Sequence, residues 1–343
     1  MDFHAASVVS SPVVRNTSHR CAAGRRRFVA RLAAALALPG AAAAQEAARM
    51  RRVGLLADVM SRLDKEFRAA LLELGWAEGR NLQIARESNT EPAAMAEAVA
   101  RLRARGVELI AASGTTAIRA ARDGAPDIPI VMINAGDPVG AAFVQTLARP
   151  GGRLTGTSAA GEEVLPKQLE LLQQAVPRSQ RVGWLMNVTN PANDFFHRVL
   201  SERARQLALP AVRIDVSQLS EIAPRLGAAG VQSLIVLGDP MFHARPAPIA
   251  EAALRLRLPT MFGAPHYVAA GGLMHYNSSY AWHFRAAAGF VDKILRGAWP
   301  SELPVQQPTE FELTINLQTA KALGLTLPQA LLLRATEVLP AAR

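Results

Sequence analysis

The sequence predicts an α/β protein of two similar lobes, each a Rossmann-like parallel sheet covered by helices. Three observations carry this. Short apolar runs alternate with longer amphipathic stretches. The alternation occurs once between Arg51 and Ile133 and again between Gln168 and Phe262. The 24 Gly and 22 Pro of the 343 residues are spread among these segments, where they punctuate many short elements. Strand–helix units in succession need crossover connections, and these lay helices on both faces of a parallel sheet.

Taken in order, Val53-Gly54-Leu55-Leu56-Ala57 has the unbroken apolar character of a strand buried on both faces, and Leu63 to Leu74 is an amphipathic helix stopped by Gly75. Leu82-Gln83-Ile84 is the second strand. Pro92 to Arg105, closed by Gly106, is the second helix. Glu108 to Ala111, Thr115 to Arg122 and Ile130 to Ile133 continue as strand, helix and strand. The second half offers a helix over Gln168 to Val176, a strand over Val182 to Met186 and a helix over Pro191 to Leu207, with Pro at its first turn. Strands at Val212 to Ile214, Leu234 to Leu237 and Pro259 to Phe262, and a helix over Ile249 to Leu256, complete it. The junction is expected at the turn-rich Arg149-Pro150-Gly151-Gly152.

Residues 1–44 read as an export signal. Arg25-Arg26-Arg27 is a basic start, Leu32 to Leu38 an Ala/Leu core too short to span a bilayer, and Ala42-Ala43-Ala44 a small-residue cleavage site. Arg-Arg-x-Phe-Val also fits a twin-arginine signal. Cleavage near Ala44 implies a periplasmic mature protein, and removes Cys21, the single cysteine. Half of the net charge of +10 lies in this segment, where six Arg face only Asp2. The remainder is mild, so no nucleic-acid partner is expected. His197, His243, His266, His275 and His283 lack metal spacing, no Lys-Ser/Thr follows Gly136 to Gly140, and no G-x-S-x-G elbow occurs. No metal, cofactor or catalytic residue is therefore expected. Trp184 and Trp282 read as core.

The loops at the carboxyl ends of the strands are where such sheets bind ligands. Ser113-Gly114-Thr115-Thr116 puts hydroxyls and backbone N–H groups at a helix start, which suits a carboxylate and equally serves as a plain helix cap. Gly136-Asp137-Pro138 follows the fourth strand and Gly238-Asp239-Pro240 a strand of the second half. Each Asp can accept from a ligand amine or simply close a turn. Asn187 and Asn190 follow another second-half strand.

These motifs, with Leu147-Ala148-Arg149-Pro150-Gly151-Gly152-Arg153-Leu154-Thr155-Gly156-Thr157-Ser158, Gly271-Gly272-Leu273-Met274-His275-Tyr276 and the run from Leu303 to Leu325, resemble the ABC-transporter substrate-binding proteins of the tryptophan/tyrosine-binding type. The resemblance covers nearly everything from Arg51 to Leu339. It implies a type I periplasmic-binding fold whose lobes, 51–157 plus 278–304 and 158–277 plus 305–343, are joined by three crossing segments. It implies a monomer that holds an amino acid, or a related small carboxylate, in the cleft, delivers it to a membrane permease and catalyses nothing. The ligand-binding set it implies is Asp58, Ser113, Gly114, Thr115, Thr116, Gly136, Asp137, Asn187, Asn190, Asp239 and Tyr276. Thr116, Ala135 and Met241 depart from the family pattern, which has Pro, Gly and an aromatic there. The alternatives are an exported ligand sensor and an exported two-lobed isomerase or racemase, the latter without a clear base in the sequence.

Overall fold

The computed structural model describes residues 50–57, 64–89 and 92–340. The expected export signal and Asp58 lie outside these. Among the described residues no helix is long and apolar enough to cross a membrane.

The first lobe is built on β1 (Arg51–Ala57), β2 (Leu82–Ser88), β3 (Leu109–Ser113), β4 (Ile130–Ala135) and β5 (Leu154–Ser158). They form one all-parallel sheet in the order β2-β1-β3-β4-β5. Side chains alternate between its faces as strand geometry requires. Val53, Leu55 and Leu109 meet α1 (Asp64–Glu73) and a long helix from late in the chain, α10 (Tyr280–Leu295). Leu56, Ile110 and Met132 meet α2 (Pro92–Ala104) and α3 (Thr115–Gly124). At Gly156, in β5, the backbone takes φ +135°, and an added Cβ would lie 2.1 Å from the Met132 carbonyl oxygen. Only glycine lets β5 approach β4 there.

The second lobe holds β6 (Val182–Asn187), β7 (Ala211–Val216), β8 (Ser233–Val236), β9 (Thr260–Phe262), β10 (Met274–Asn277), β11 (Glu312–Asn316) and β12 (Glu337–Leu339) in the order β12-β11-β10-β9-β8-β6-β7. One face packs on α4 (Gly161–Ala175) and α5 (Asn193–Gln206) through Leu169, Leu172, Trp184, Leu200 and Ile235. The other packs on α6 (Ile222–Ala228), α8 (Pro246–Arg255) and α9 (Pro265–Ala269) through Leu185, Leu226, Ile249, Phe262 and Tyr267. The short α7 (Pro240–His243) follows the loop after β8, α11 (Leu317–Ala322) packs on β12 and α12 (Gln329–Leu332) on α4. This sheet departs from the all-parallel expectation at one place: β10 and β11 pair antiparallel. The chain leaves β10 for α10 in the first lobe and re-enters at β11 from that side, so β11 must run the other way.

The chain thus crosses between lobes three times: after β5, after β10 and before β11. The first and third crossings touch, since Ser158 N donates to Gln306 O and Gln306 N to Gly156 O, both at 2.9 Å. The turn at Arg149 to Gly152 is not the junction. It folds back within the first lobe, Gln145 N donating to Pro150 O, and β5 follows it in the first sheet. Helix α4 starts seven residues before the expected Gln168, because Pro166 sits inside it and interrupts the sequence pattern without ending the helix.

Candidate ligand-binding cleft

The first-lobe wall of the cleft is the rim where β3 and β4 end. Ser113 closes β3, and Gly114, at φ 81°, turns the chain directly into α3 with no side chain capping that helix. Thr115 is buried and its Oγ1 accepts from Gly136 N at 3.1 Å, so the hydroxyl ties two loops together instead of capping its own helix. The amide donors of the first turn and the positive end of the helix dipole consequently face the cleft, an arrangement that favours an anion. Beside them Asn134 holds a left-handed φ of 58° and donates its N–H to Thr157 Oγ1 at 2.9 Å. Its Oδ1, at the cleft wall, is buried without a hydrogen-bond partner among the described residues.

Opposite stands Asp239, 2% exposed, at the N-cap of α7. Oδ1 accepts from Asn187 Nδ2 at 3.0 Å and Met241 N at 2.9 Å, and Oδ2 from Asn190 Nδ2 at 2.8 Å. Burial pushes its carboxyl above the ordinary range, opposed by these amide donors and the Phe242 N–H. Asn193 Nδ2 donates to the Asn187 carbonyl and Asn190 Oδ1 accepts from Ala192 N, so the asparagine turn is itself held fast. His243 borders the same space. Its Nδ1 pairs with Tyr267 Oη at 3.1 Å and its Nε2 with Tyr280 Oη at 3.2 Å. Burial, reinforced by His266 nearby, pushes its pKa down to about 3. The ring edge borders the cleft while the nitrogens are taken by tyrosines, so the imidazole is neutral at ordinary pH. Gln168, 2% exposed, reaches across to the Tyr276 carbonyl at 2.7 Å, and Phe196, Val164 and Leu165 supply the apolar part of the wall.

Of the residues the sequence singled out, Ser113, Gly114, Thr115, Gly136, Asn190 and Asp239 line this one cavity. Asn187 stands behind Asp239 as its support. Thr116 opens onto an outer groove shared with Arg119 and Thr189. Asp137 caps its own turn through Gly140 N at 2.8 Å and faces another outer groove beside Glu162 and Phe195. The Tyr276 ring stacks on Phe311, at 5.7 Å between centroids. Sequence reasoning missed Gln168, Phe196, His243 and Tyr280 at the cavity. None lies in a turn motif, so only the fold brings them there. Among the described residues no group of three or more His, Cys, Asp or Glu is placed to hold a metal ion.

Residues 55–339 match the family described as ABC transporter substrate binding protein. A protein of Clostridioides difficile, named tyrosine-binding protein, is 25% identical over 269 residues, covering 78% of this chain and 77% of that one. The domain from Streptococcus pneumonia solved in complex with L-Trp superposes with a TM-score of 0.78 at 23% identity, over 84% of this chain and all of that one. A ligand-free, open substrate-binding protein with adhesive properties from Clostridium difficile gives 0.63 at 23% identity, over 85% of this chain and all of that one. At such identity the structural likeness speaks for the fold, a two-lobed α/β arrangement of the type I periplasmic-binding kind. With the family match spanning most of its length, the chain belongs to the ABC transporter substrate-binding proteins.

Proposed function

We propose that this protein is the extracytoplasmic solute-binding component of an ABC importer, exported by the signal at residues 1–44 and cleaved near Ala44. As a monomer of two lobes, 51–157 plus 278–304 and 158–277 plus 305–343, it captures an amino acid and delivers it to a membrane permease. One observation carries the ligand class: an uncapped helix N-terminus and a buried carboxylate line the same cavity. The α3 amides take the ligand's carboxylate. Asp239, with its amide donors leaving Oδ2 room for one more partner, takes the ammonium. Phe196, Val164 and Leu165 receive the side chain, and the names of the relatives favour an aromatic one. Because donors and acceptor come from different lobes, the ligand is held fully only when the lobes meet, and binding acts by population shift.

The test is isothermal calorimetry of the mature protein with L-tryptophan, L-tyrosine and L-phenylalanine beside two truncated probes, tryptamine and indole-3-propionate. The reading expects at least one amino acid to bind and both probes to lose about 100-fold, since each leaves a buried polar group unpaired. Equal binding of a probe lacking either charged group would overturn it.

A further inference from the structure

The two lobes touch at a place with no room to spare. Gly136, at the end of β4 in the first lobe, faces Ala192 and Phe196 of the second: a Cβ built on it would stand 2.9 Å from Ala192 Cβ and 2.9 Å from Phe196 Cζ, and 3.0 Å from Thr115 Oγ1. Beside it Gly161 of α4 packs on the same ring pair from within the second lobe, its Cβ position lying 2.9 Å from Phe195 Cε1 and 3.4 Å from Phe196 Cε1. The Phe195 and Phe196 rings lean on one another at 5.7 Å between centroids. Phe196 packs on the second-lobe core at its base, lines the ligand cavity along its side and meets the first-lobe backbone at its tip.

We infer that Phe196 seated on Gly136 is the closing contact of the molecule, and that Gly136 stands there for the space it leaves. In the parted state the seat is empty and a methyl group at position 136 meets only Thr115 Oγ1 of its own lobe, at 3.0 Å. In the closed state it strikes two side chains of the opposite lobe. The Thr115 contact is the same in both states, so the substitution acts on the open–closed equilibrium through the two second-lobe contacts. A solute packed against the side of the ring steadies it in the seat, so Phe196 is a positioning residue through which cavity occupancy is felt as closure.

The inference rests on the proposed closure of the lobes, so its test is made first without ligand. Cysteines placed at exposed Arg119 and Val188, one in each lobe on either side of the outer cleft, in a Cys21→Ser background, are joined by a short bis-maleimide. The cross-linking rate samples the closed population even when that population is small. Gly136→Ala should slow the rate about tenfold or more while leaving the melting temperature of the ligand-free protein near the parent's. Adding Ala192→Gly with Phe196→Leu, which empties the seat from the other side, should restore it to within about threefold, a rescue that strain against Thr115 inside the first lobe would not allow. Should Gly136→Ala fold poorly, Phe196→Trp overfills the seat from the second lobe and is expected to slow cross-linking likewise. Cross-linking of Gly136→Ala at the parent rate, a Phe196→Trp rate equal to the parent's, or a slow rate that the compensating pair leaves unchanged overturns the inference. A parent that binds none of L-tryptophan, L-tyrosine and L-phenylalanine would defeat the ligand assignment while these ligand-free rates still decide the seat.

Discussion

His283 sits where two of the crossings meet, 1% exposed, with Nδ1 3.0 Å from Thr157 Oγ1 and Nε2 2.9 Å from Ser278 Oγ. Burial pushes its pKa down to about 3, and burial does the same to His243 and His275, each aided by His266. A histidine whose folded pKa lies below its unfolded value of about 6.5 holds its full stabilisation above that value and loses it as pH falls toward the folded one. The melting temperature should therefore drop steadily from pH 6.5 toward 4. Buried Asp239, raised by burial, acts in the opposite sense, its ionisation costing stability as pH rises, but it is one group against three. His283→Gln should flatten the drop, and a melting temperature level between pH 7 and 4 would contradict the account. The two Gly-Asp-Pro motifs separate at this scale too. Asp239→Asn should weaken amino-acid binding about tenfold or more, whereas Asp137→Ala should leave it within about twofold and cost about 1 kcal/mol through the lost Gly140 bond, by calorimetry and denaturant unfolding respectively. The sequence could not tell these aspartates apart, because what distinguishes Asp239 is the pair of asparagines brought to it from about fifty positions away.

At the scale of elements, β1, β3, β4, β6 and β8 were legible because a strand buried on both faces is an unbroken apolar run. β5 was not, since Leu154-Thr155-Gly156-Thr157-Ser158 is mostly polar yet fully buried. Its hydroxyls find partners that the local sequence does not reveal, Thr155 Oγ1 on the Leu303 carbonyl and Thr157 Oγ1 on Asn134 N of β4 and on His283. Gly156→Ala should cost about 4 kcal/mol or more, because the added methyl meets a neighbouring carbonyl in a region of φ that alanine avoids. Chemical unfolding, or soluble yield where the variant does not fold, checks this, and a loss below about 1 kcal/mol would show that β5 has room to shift. Thr116 and Tyr276 belong to the same lesson. The helix of Thr116 was placed correctly, but a helix turns its second residue away from the face its first one presents, and Tyr276, in β10, turns its ring to Phe311.

For the whole molecule, the crossings at Thr157, Ser278 and Gln306 lie together, so the lobes can swing about one hinge while the cleft rims travel furthest. A ligand present at about 100 times its Kd should raise stability by about 2.7 kcal/mol, and solution scattering should show the particle contract as it binds. Binding without contraction would mean that the cavity fills in an already closed protein. Local pattern along the chain was enough for the apolar strands and the helices between them, the repetition in two lobes and the loops at the strand ends, because burial on both faces and turn chemistry are written locally in apolar runs, Gly and Pro. The tertiary structure alone decided which of those loops point inward, which strand runs antiparallel, and that Gln168, Phe196, His243 and Tyr280 join the cavity. Those facts depend on partners that reach each residue from distant stretches of chain, and no local pattern encodes a partner's arrival.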